Sequence, residues 1–484
     1  MKRASILALA LALTGCVVGP HYRAPDALPP EQVRLQEALN NGAVTPTPLP
    51  PQWWRLFADP ELDRLIERAL ARNTDLRVAA ANLQRARALL SESGAARLPT
   101  SDASAQYTRR RTAVGSVPGV AGGASPQAVT TNYFSLGFDA SYEVDLFGGV
   151  SRSIEAARAD LGAAQAAVDA ARVAVAAETA RSYVQACGFA LQADVARETA
   201  ALQERTLDLT QRRLSAGGGS LRDVDQAAVL VEQARAQVPG FEAEQRAALY
   251  ALAVMTGDPP NTITDTPAAR CHTIPLARQP LPVGDGQALL ARRPDVRQAE
   301  RQLAADTARI GVATAALYPS VTLLGAVSLG STRLGDLGKS QSFGYSLGPL
   351  ISWSFPFNGA ARARVRENEA IAGRSLALFD AAVLNALKET EQALARAGAA
   401  TERERRLARA LAASADAARL TRLRFDYGSD NFLQLLDAQR SDAVARAALA
   451  QARADRAAAQ ISVFKALGGG WEMAGEAKPD ETAR

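Results

Sequence analysis

Phe343-Gly344-Tyr345-Ser346-Leu347-Gly348-Pro349-Leu350-Ile351-Ser352-Trp353-Ser354-Phe355-Pro356-Phe357 is the stretch that decides the fold. Phe343, Tyr345, Leu347, Ile351, Trp353, Phe355 and Phe357 occupy alternate positions, with Gly344, Ser346, Gly348, Ser352 and Ser354 between them. Period-two alternation puts one set on each face of a sheet. Earlier in the chain Phe134, Leu136, Phe138, Tyr142, Val144 and Leu146 alternate in the same way with Ser135, Gly137, Asp139, Ser141, Glu143 and Asp145. Two weaker partners precede these strands: Ala103, Ala105 and Tyr107 in one place, and Val321, Leu323, Val327 and Leu329 in the other. Each segment is about ten residues or longer, enough for a tilted strand to cross a bilayer. A soluble sandwich with one wet face would carry the same alternation. Pro349 lacks a ladder donor and marks a bulge or an edge. Four strands are too few for a transmembrane barrel, since the smallest have about eight. An oligomer must supply the rest, and three copies would make a twelve-stranded wall.

Outward from the strands the chain repeats itself. Arg72-Asn73-Thr74-Asp75-Leu76-Arg77 is echoed by Arg292-Arg293-Pro294-Asp295-Val296-Arg297, and Pro99 by Pro319, both at an offset of 220. Arg213 to Gly217 matches Arg424 to Gly428, and Met255-Thr256-Gly257 matches Ala466-Leu467-Gly468, at an offset of 211. The copies run over 60–258 and 284–470, each in the order helix, two strands, two very long helices. A repeat of this length is longer than solenoid periods and implies two pseudo-equivalent halves of one architecture. The Pro- and Thr-rich stretch 259–283 between them reads as a linker.

The long helices carry an apolar seam. Leu161, Ala164, Val168, Ala171 and Val175 recur at steps of three and four, as do Leu376, Phe379, Val383, Ala386, Thr390, Leu394 and Ala397. The pattern is coiled-coil-like, and alanine on it lets backbones approach closely. Ala156 to Leu214 contains no proline, and at 1.5 Å per residue such a run would reach on the order of 90 Å. Tight turns at Gly217-Gly218-Gly219-Ser220 and Tyr427-Gly428-Ser429-Asp430-Asn431 are equivalent tips of the two helical hairpins. Beyond the second tip, Leu433 and Asp437 stand four apart on one helical face. In a threefold assembly they would form an apolar ring and a carboxylate ring, a plausible constriction for ions and water. A core leucine and a carboxylate at a helix start would account for them equally well.

The composition suits long helices. Aromatics are 5%, the chain has 2 His, 3 Cys and 3 Met, and alanine is the largest single contributor to its 48% hydrophobic content. Lys+Arg 55 against Asp+Glu 50 leaves +5, spread along the 484 residues, which gives no support to nucleic-acid binding. Lys2 and Arg3 precede an apolar run from Ile6 to Leu13, the pattern of an export signal over 1–15 and too short to span a bilayer. The run ends in Leu13-Thr14-Gly15-Cys16, which resembles the lipobox of bacterial lipoproteins. That resemblance implies a diacylglycerol on the Cys16 thiol, cleavage just before it and N-acylation of the new terminus. Residues 16–59 would then be a lipid-anchored N-terminal segment, with no other cofactor. Val17 in place of Asp after the cysteine resembles an outer-membrane address. Together with the aromatic-rich apolar strand faces, the lipobox favours a membrane barrel over the soluble sandwich. Cys187 and Cys271 would lie in an oxidising compartment where they could pair, which their spacing alone does not decide.

The order of lipobox, duplicated strand and helix units and closing Lys465-Ala466-Leu467-Gly468-Gly469-Gly470-Trp471 resembles the TolC-like outer-membrane factors, in particular the OprM/NodT lipoprotein branch. Trp53 to Pro60, Tyr142 to Gly148, Arg292 to Val296 and Tyr427 to Arg440 carry the same likeness, so it spans nearly the whole mature chain up to the 471–484 tail. The resemblance implies a homotrimer with a transmembrane β-barrel and an all-α coiled-coil barrel crossing the periplasm. It also implies a periplasmic adaptor and an inner-membrane transporter of the resistance-nodulation-division type as partners. Leu433 and Asp437 would correspond to the periplasmic gate, and Gly217, Gly218, Gly428 and Ser429 to the adaptor-docking tips. The first tip departs from the usual pattern in its triple glycine and in Arg222 before Asp223.

No enzyme signature competes. Cys271-His272 lacks the further ligands of a zinc site, Gly217 to Gly219 lacks the Lys-Ser/Thr of a phosphate loop, and no serine has a paired histidine. Three functions remain: a drug-efflux exit duct, a type I secretion duct for proteins, and a lipid-anchored coiled-coil scaffold without a pore. The alternating aromatic strands weigh against the scaffold, and only 3 Met weighs against a route for soft metals.

Overall fold

The computed structural model describes residues 17–25, 28–29, 31–37, 44–113, 128–278, 280–354 and 359–471. The export signal, Cys16, Phe355, Phe357 and the tail after Trp471 lie outside the described residues. Among the described residues, twelve helices and strands of seven or more residues follow in order: α1 (Pro60–Arg72), α2 (Thr74–Ala95), β1 (Thr100–Ala113), β2 (Ala128–Val144), α3 (Gly149–Ser215), α4 (Leu221–Thr256), α5 (Gly286–Arg292), α6 (Pro294–Ala315), β3 (Ser320–Ser331), β4 (Phe343–Ser352), α7 (Ala360–Asp426) and α8 (Phe432–Ala466). α3 and α7 have 67 residues each. The chain forms two compact units, one of residues 1–25, 84–163 and 300–378, the other of 26–83, 164–299 and 379–484. Each unit draws on both sequence copies.

The first unit holds a four-stranded antiparallel sheet in the order β1-β2-β3-β4. One hairpin comes from each copy, and the two join through β2 and β3, from Phe134 opposite Ser331 to Val144 opposite Val321. Pro349 pairs with Leu323 in unbroken register on the terminal strand, so it takes the edge position and no bulge forms.

The second unit is built around a stack of aromatic rings. Trp53 lies against Phe464 with ring centroids 4.9 Å apart, and Phe57 meets Phe464 edge-on at 6.1 Å. Leu62, Ile66, Leu252, Leu394 and Ile461 bury around them. This contact explains why Trp53 to Pro60 and the end of α8 both stand out in the sequence. Asp59 caps α1 by accepting from the N–H groups of Glu61 and Leu62, and also accepts the Tyr183 hydroxyl at 3.1 Å. Burial and the Asp59 carboxylate push the Tyr183 hydroxyl above the ordinary tyrosine range. On the α7 seam Val383, Ala386, Thr390, Leu394 and Ala397 are buried, while Leu376 at the start is exposed.

The duplication is kept at the level of single hydrogen bonds. Asn73 interrupts α1 and α2, accepts from the N–H groups of Asp75 and Leu76, and donates to the Met255 carbonyl at 3.0 Å. Arg293, its counterpart at the offset of 220, donates to the Ala466 carbonyl at 2.9 Å, and Ala466 is the counterpart of Met255. Both links satisfy a carbonyl orphaned at a helix end. Arg293 also reaches Asp295 at 2.6 Å and Glu389 at 2.8 Å. Burial works against its charge, but these two carboxylates outweigh that and raise its pKa.

Segment 259–283, read as a linker, is packed into this core. Ile263, Ala268, Ile274, Ala277, Leu281 and Val283 are buried. Gln460 exchanges two hydrogen bonds with the Ala277 backbone, at 3.0 and 3.2 Å. Cys271 forms a disulfide with Cys187 of α3, which answers the pairing question. His272 lies 2.5 Å from Asp194.

Candidate functional site

Register decides what alternation left open, namely whether the four apolar sets share a face. Across the sheet, directly opposed residues form rows: Val144, Val321 and Ile351; Tyr142, Leu323 and Pro349; Phe138, Val327 and Tyr345; Leu136, Leu329 and Phe343. β1 adds Ala103 to Phe138, Ala105 to Leu136 and Tyr107 to Phe134. Opposed residues in antiparallel strands point the same way, so every apolar set lies on one face. From Val321 to Leu329 that face runs about 26 Å along the strand, the height of an apolar belt in an outer-membrane barrel. Aromatic rings gather toward both ends, with Tyr142 and Trp353 at one and Tyr107, Phe134, Phe343 and Tyr345 at the other. Tyr345 is 78% and Leu347 84% exposed, so among the described residues nothing covers these two side chains. The opposite face carries Ser104, Gly137, Ser328 and Gly344 in one row and Asp102, Asp139, Ala326 and Ser346 in the next. It is small and mostly polar, as a wet lumen requires.

The second unit contains both hairpin tips, built alike. Gly217 and Gly428 have φ of 78° and 76°, values an L side chain rarely adopts. The N–H groups of Gly217 and Gly218 donate to the carbonyls of Leu214 and Arg213, and those of Gly428 and Ser429 to Phe425 and Arg424. This is the double closure of a Schellman motif in each tip. The next helices start with capping boxes, Ser220 with Asp223 for α4 and Asn431 with Gln434 for α8. Asp223 is therefore engaged within its own turn. Arg213 reaches across to the other tip, its guanidinium 3.9 Å above the Phe425 ring.

Past the second tip, α8 turns Leu435, Leu436 and Gln439 inward. Gln439 donates to the Thr206 hydroxyl of α3 at 3.0 Å. Leu433 and Asp437 lie on the other side, with Leu433 54% exposed. Leu433 is thus no core residue of the chain, and the exposed stripe continues through Arg440 to Val444. The first copy offers Arg222 and Gln226 at the corresponding positions, so the Leu and Asp pair belongs to one hairpin only.

The outer membrane efflux protein family model matches residues 65–258 and again 286–469. The chain belongs to that family. Its relatives include nodulation protein T of Rhizobium leguminosarum bv. trifolii, 31% identical over 96% of this chain and 97% of that protein. Outer membrane protein OprJ of Pseudomonas aeruginosa is 31% identical over 97% and 96%. Among solved structures, the outer-membrane channel OprN superposes with a TM-score of 0.87 at 35% identity, covering 94% of this chain and all of that one. The fold is that of the TolC-like channels, with α-barrel and β-barrel parts. This outer membrane efflux protein is accordingly an outer-membrane exit channel with a helical extension into the periplasm.

Among the described residues, neither copy carries a group of three or more His, Cys, Asp or Glu side chains placed to hold a metal ion. Asn73 and Arg293 were not singled out from the sequence, although their offset of 220 and the 211 offset of Met255 and Ala466 contained the signal. The tip contact of Arg213 with Phe425 has no such signature, since the two residues are not counterparts.

Proposed function

We propose that three copies of this chain close a twelve-stranded barrel that serves as the passive outer-membrane exit of a tripartite pump for drugs and other small amphiphilic compounds. The observation that carries the reading is the sheet: one exposed apolar face, one small polar face, and two edges, on β1 and β4, that pair with no other described strand. A four-stranded sheet leaves both edges unpaired in lipid, which is prohibitive, and a head-to-tail ring of β4 against the next chain's β1 removes them. The adaptor docks at the tips around Gly217, Gly218, Gly428 and Ser429, where the two backbone turns share one geometry. Leu433 and Asp437 narrow the inner end. Energy is supplied by the inner-membrane transporter of the resistance-nodulation-division type, and the duct performs no chemistry on its cargo.

Intracellular accumulation of a fluorescent amphiphilic dye tests this reading. With redundant exit ducts removed, deleting the gene should raise accumulation. Unchanged accumulation, with a secreted protein missing instead, would move the function to protein export.

Lipidation of Cys16 by a diacylglycerol and an N-acyl chain adds a tether, at about 0.8 kcal/mol per buried CH₂. Cys16→Ser should remove all label from cells grown with radioactive palmitate, and label that persists would end the lipoprotein reading.

A further inference from the structure

Beyond its last aromatic row the outward column of β1 changes from apolar to basic. Alternate residues run Ala103, Ala105, Tyr107, Arg109 and Arg111, opposite Phe138, Leu136, Phe134, Asn132 and Thr130 of β2. Parity therefore places Arg109 and Arg111 on the apolar face and Arg110, opposite Thr131, on the lumen face. All three are exposed. From Tyr107 to Phe134 the sequence contains these three arginines and no acidic residue. The neighbouring β3–β4 connection contributes Arg333 and Lys339 against a single carboxylate, Asp336, which Lys339 already holds at 2.5 Å.

β1 leaves the end of α2 at Thr100, so Arg109 lies about 30 Å along the strand from the helical side. With the helices in the periplasm, that end of the strand is at the outer leaflet. An arginine on the lipid face costs about 2–4 kcal/mol at the midplane and about 0–1 near the interface, where these two sit above Tyr107 and Phe134. Two side chains apart by one alternation are about 6.6 Å from one another, close enough to address neighbouring phosphates. The planar fork of arginine matches phosphate with two parallel hydrogen bonds.

We propose that Arg109 and Arg111 form a docking site for the phosphorylated headgroup of the glycolipid that makes up the outer leaflet. The proposal rests on the reading of the apolar face as lipid-facing. Arg110 takes no part, because it faces the lumen. The site would hold a lipid collar against each of three repeats of the barrel and fix its depth in the membrane.

The test is binding of fluorescently labelled lipopolysaccharide to the purified, lipidated, detergent-solubilised protein. Arg109→Ser with Arg111→Ser should weaken binding about twenty-five-fold, the product of about fivefold for each arginine at a charged lipid surface. Arg110→Ser should bind like the unaltered protein. Equal losses in Arg109→Ser and Arg110→Ser, or no loss in the double variant, would overturn the proposal. So would displacement of the label by phosphatidylglycerol as effectively as by unlabelled lipopolysaccharide, since any anionic lipid would then suffice. A measurement free of variants uses lipid A with and without its phosphates on the unaltered protein. Comparable binding of the two forms contradicts the site. Channel conductance of each preparation in a planar bilayer reports the barrel separately: conducting variants with unchanged lipid binding refute the docking site alone, and an unaltered protein that never conducts refutes the barrel.

Discussion

Leu347→Arg is expected to eliminate the assembled channel from the outer membrane, while Ser346→Arg, one residue earlier, leaves it near the normal level. Leu347 is 84% exposed at the middle of β4, in the row that contains Ala140 and Gly325. At the bilayer midplane an arginine costs about 2–4 kcal/mol, or roughly thirty- to thousandfold per site, and the proposed ring of three chains meets that cost three times. Ser346 is opposite Ala326 on the polar face, where the same guanidinium would sit in water. Quantifying detergent-resistant oligomer in outer-membrane fractions checks both variants. Equal loss in the two would show that the faces of the sheet have been assigned wrongly.

The second large effect is expected on α8. Leu433→Ala combined with Asp437→Ala should raise the single-channel conductance of the purified protein in a planar bilayer several-fold. Both side chains lie on the exposed stripe of α8, and the buried Leu435, Leu436 and Gln439 that fix the helix are untouched. On the proposed reading the substitutions remove an apolar constriction and a ring of carboxylates, and they do not reach the packing beneath. Conductance equal to that of the unaltered protein would remove these residues from the gate.

How much of this was legible in the sequence depended on the range of the interaction involved. Strict alternation around Phe343 and Phe134 revealed the strands, because a period of two is local. That the four apolar sets share a face was not legible, since it depends on the pairing of Phe134 with Ser331 across nearly 200 residues of chain. The offsets of 220 and 211 exposed the duplication, and the tips around Gly217 and Gly428 followed from turn chemistry. The compact units were hidden, because each is made of pieces from both copies. Segment 259–283 read as a linker on its Pro and Thr content, but its apolar residues fall at irregular spacings that no periodicity reports, and there Ile263, Ile274 and Leu281 enter the core. The disulfide of Cys187 with Cys271 joins residues 84 apart, a matter of packing and not of local pattern. Exposure of Leu433 is likewise a tertiary fact, since the sequence fitted a buried leucine as well.

The central claim is that one chain supplies a third of a closed pore. Native mass spectrometry of the complex released from outer membranes in mild detergent tests it most directly. The account predicts a single species with the mass of three acylated chains. A species of one or two chains would contradict it, because four or eight strands from this sheet could not supply the twelve-stranded wall.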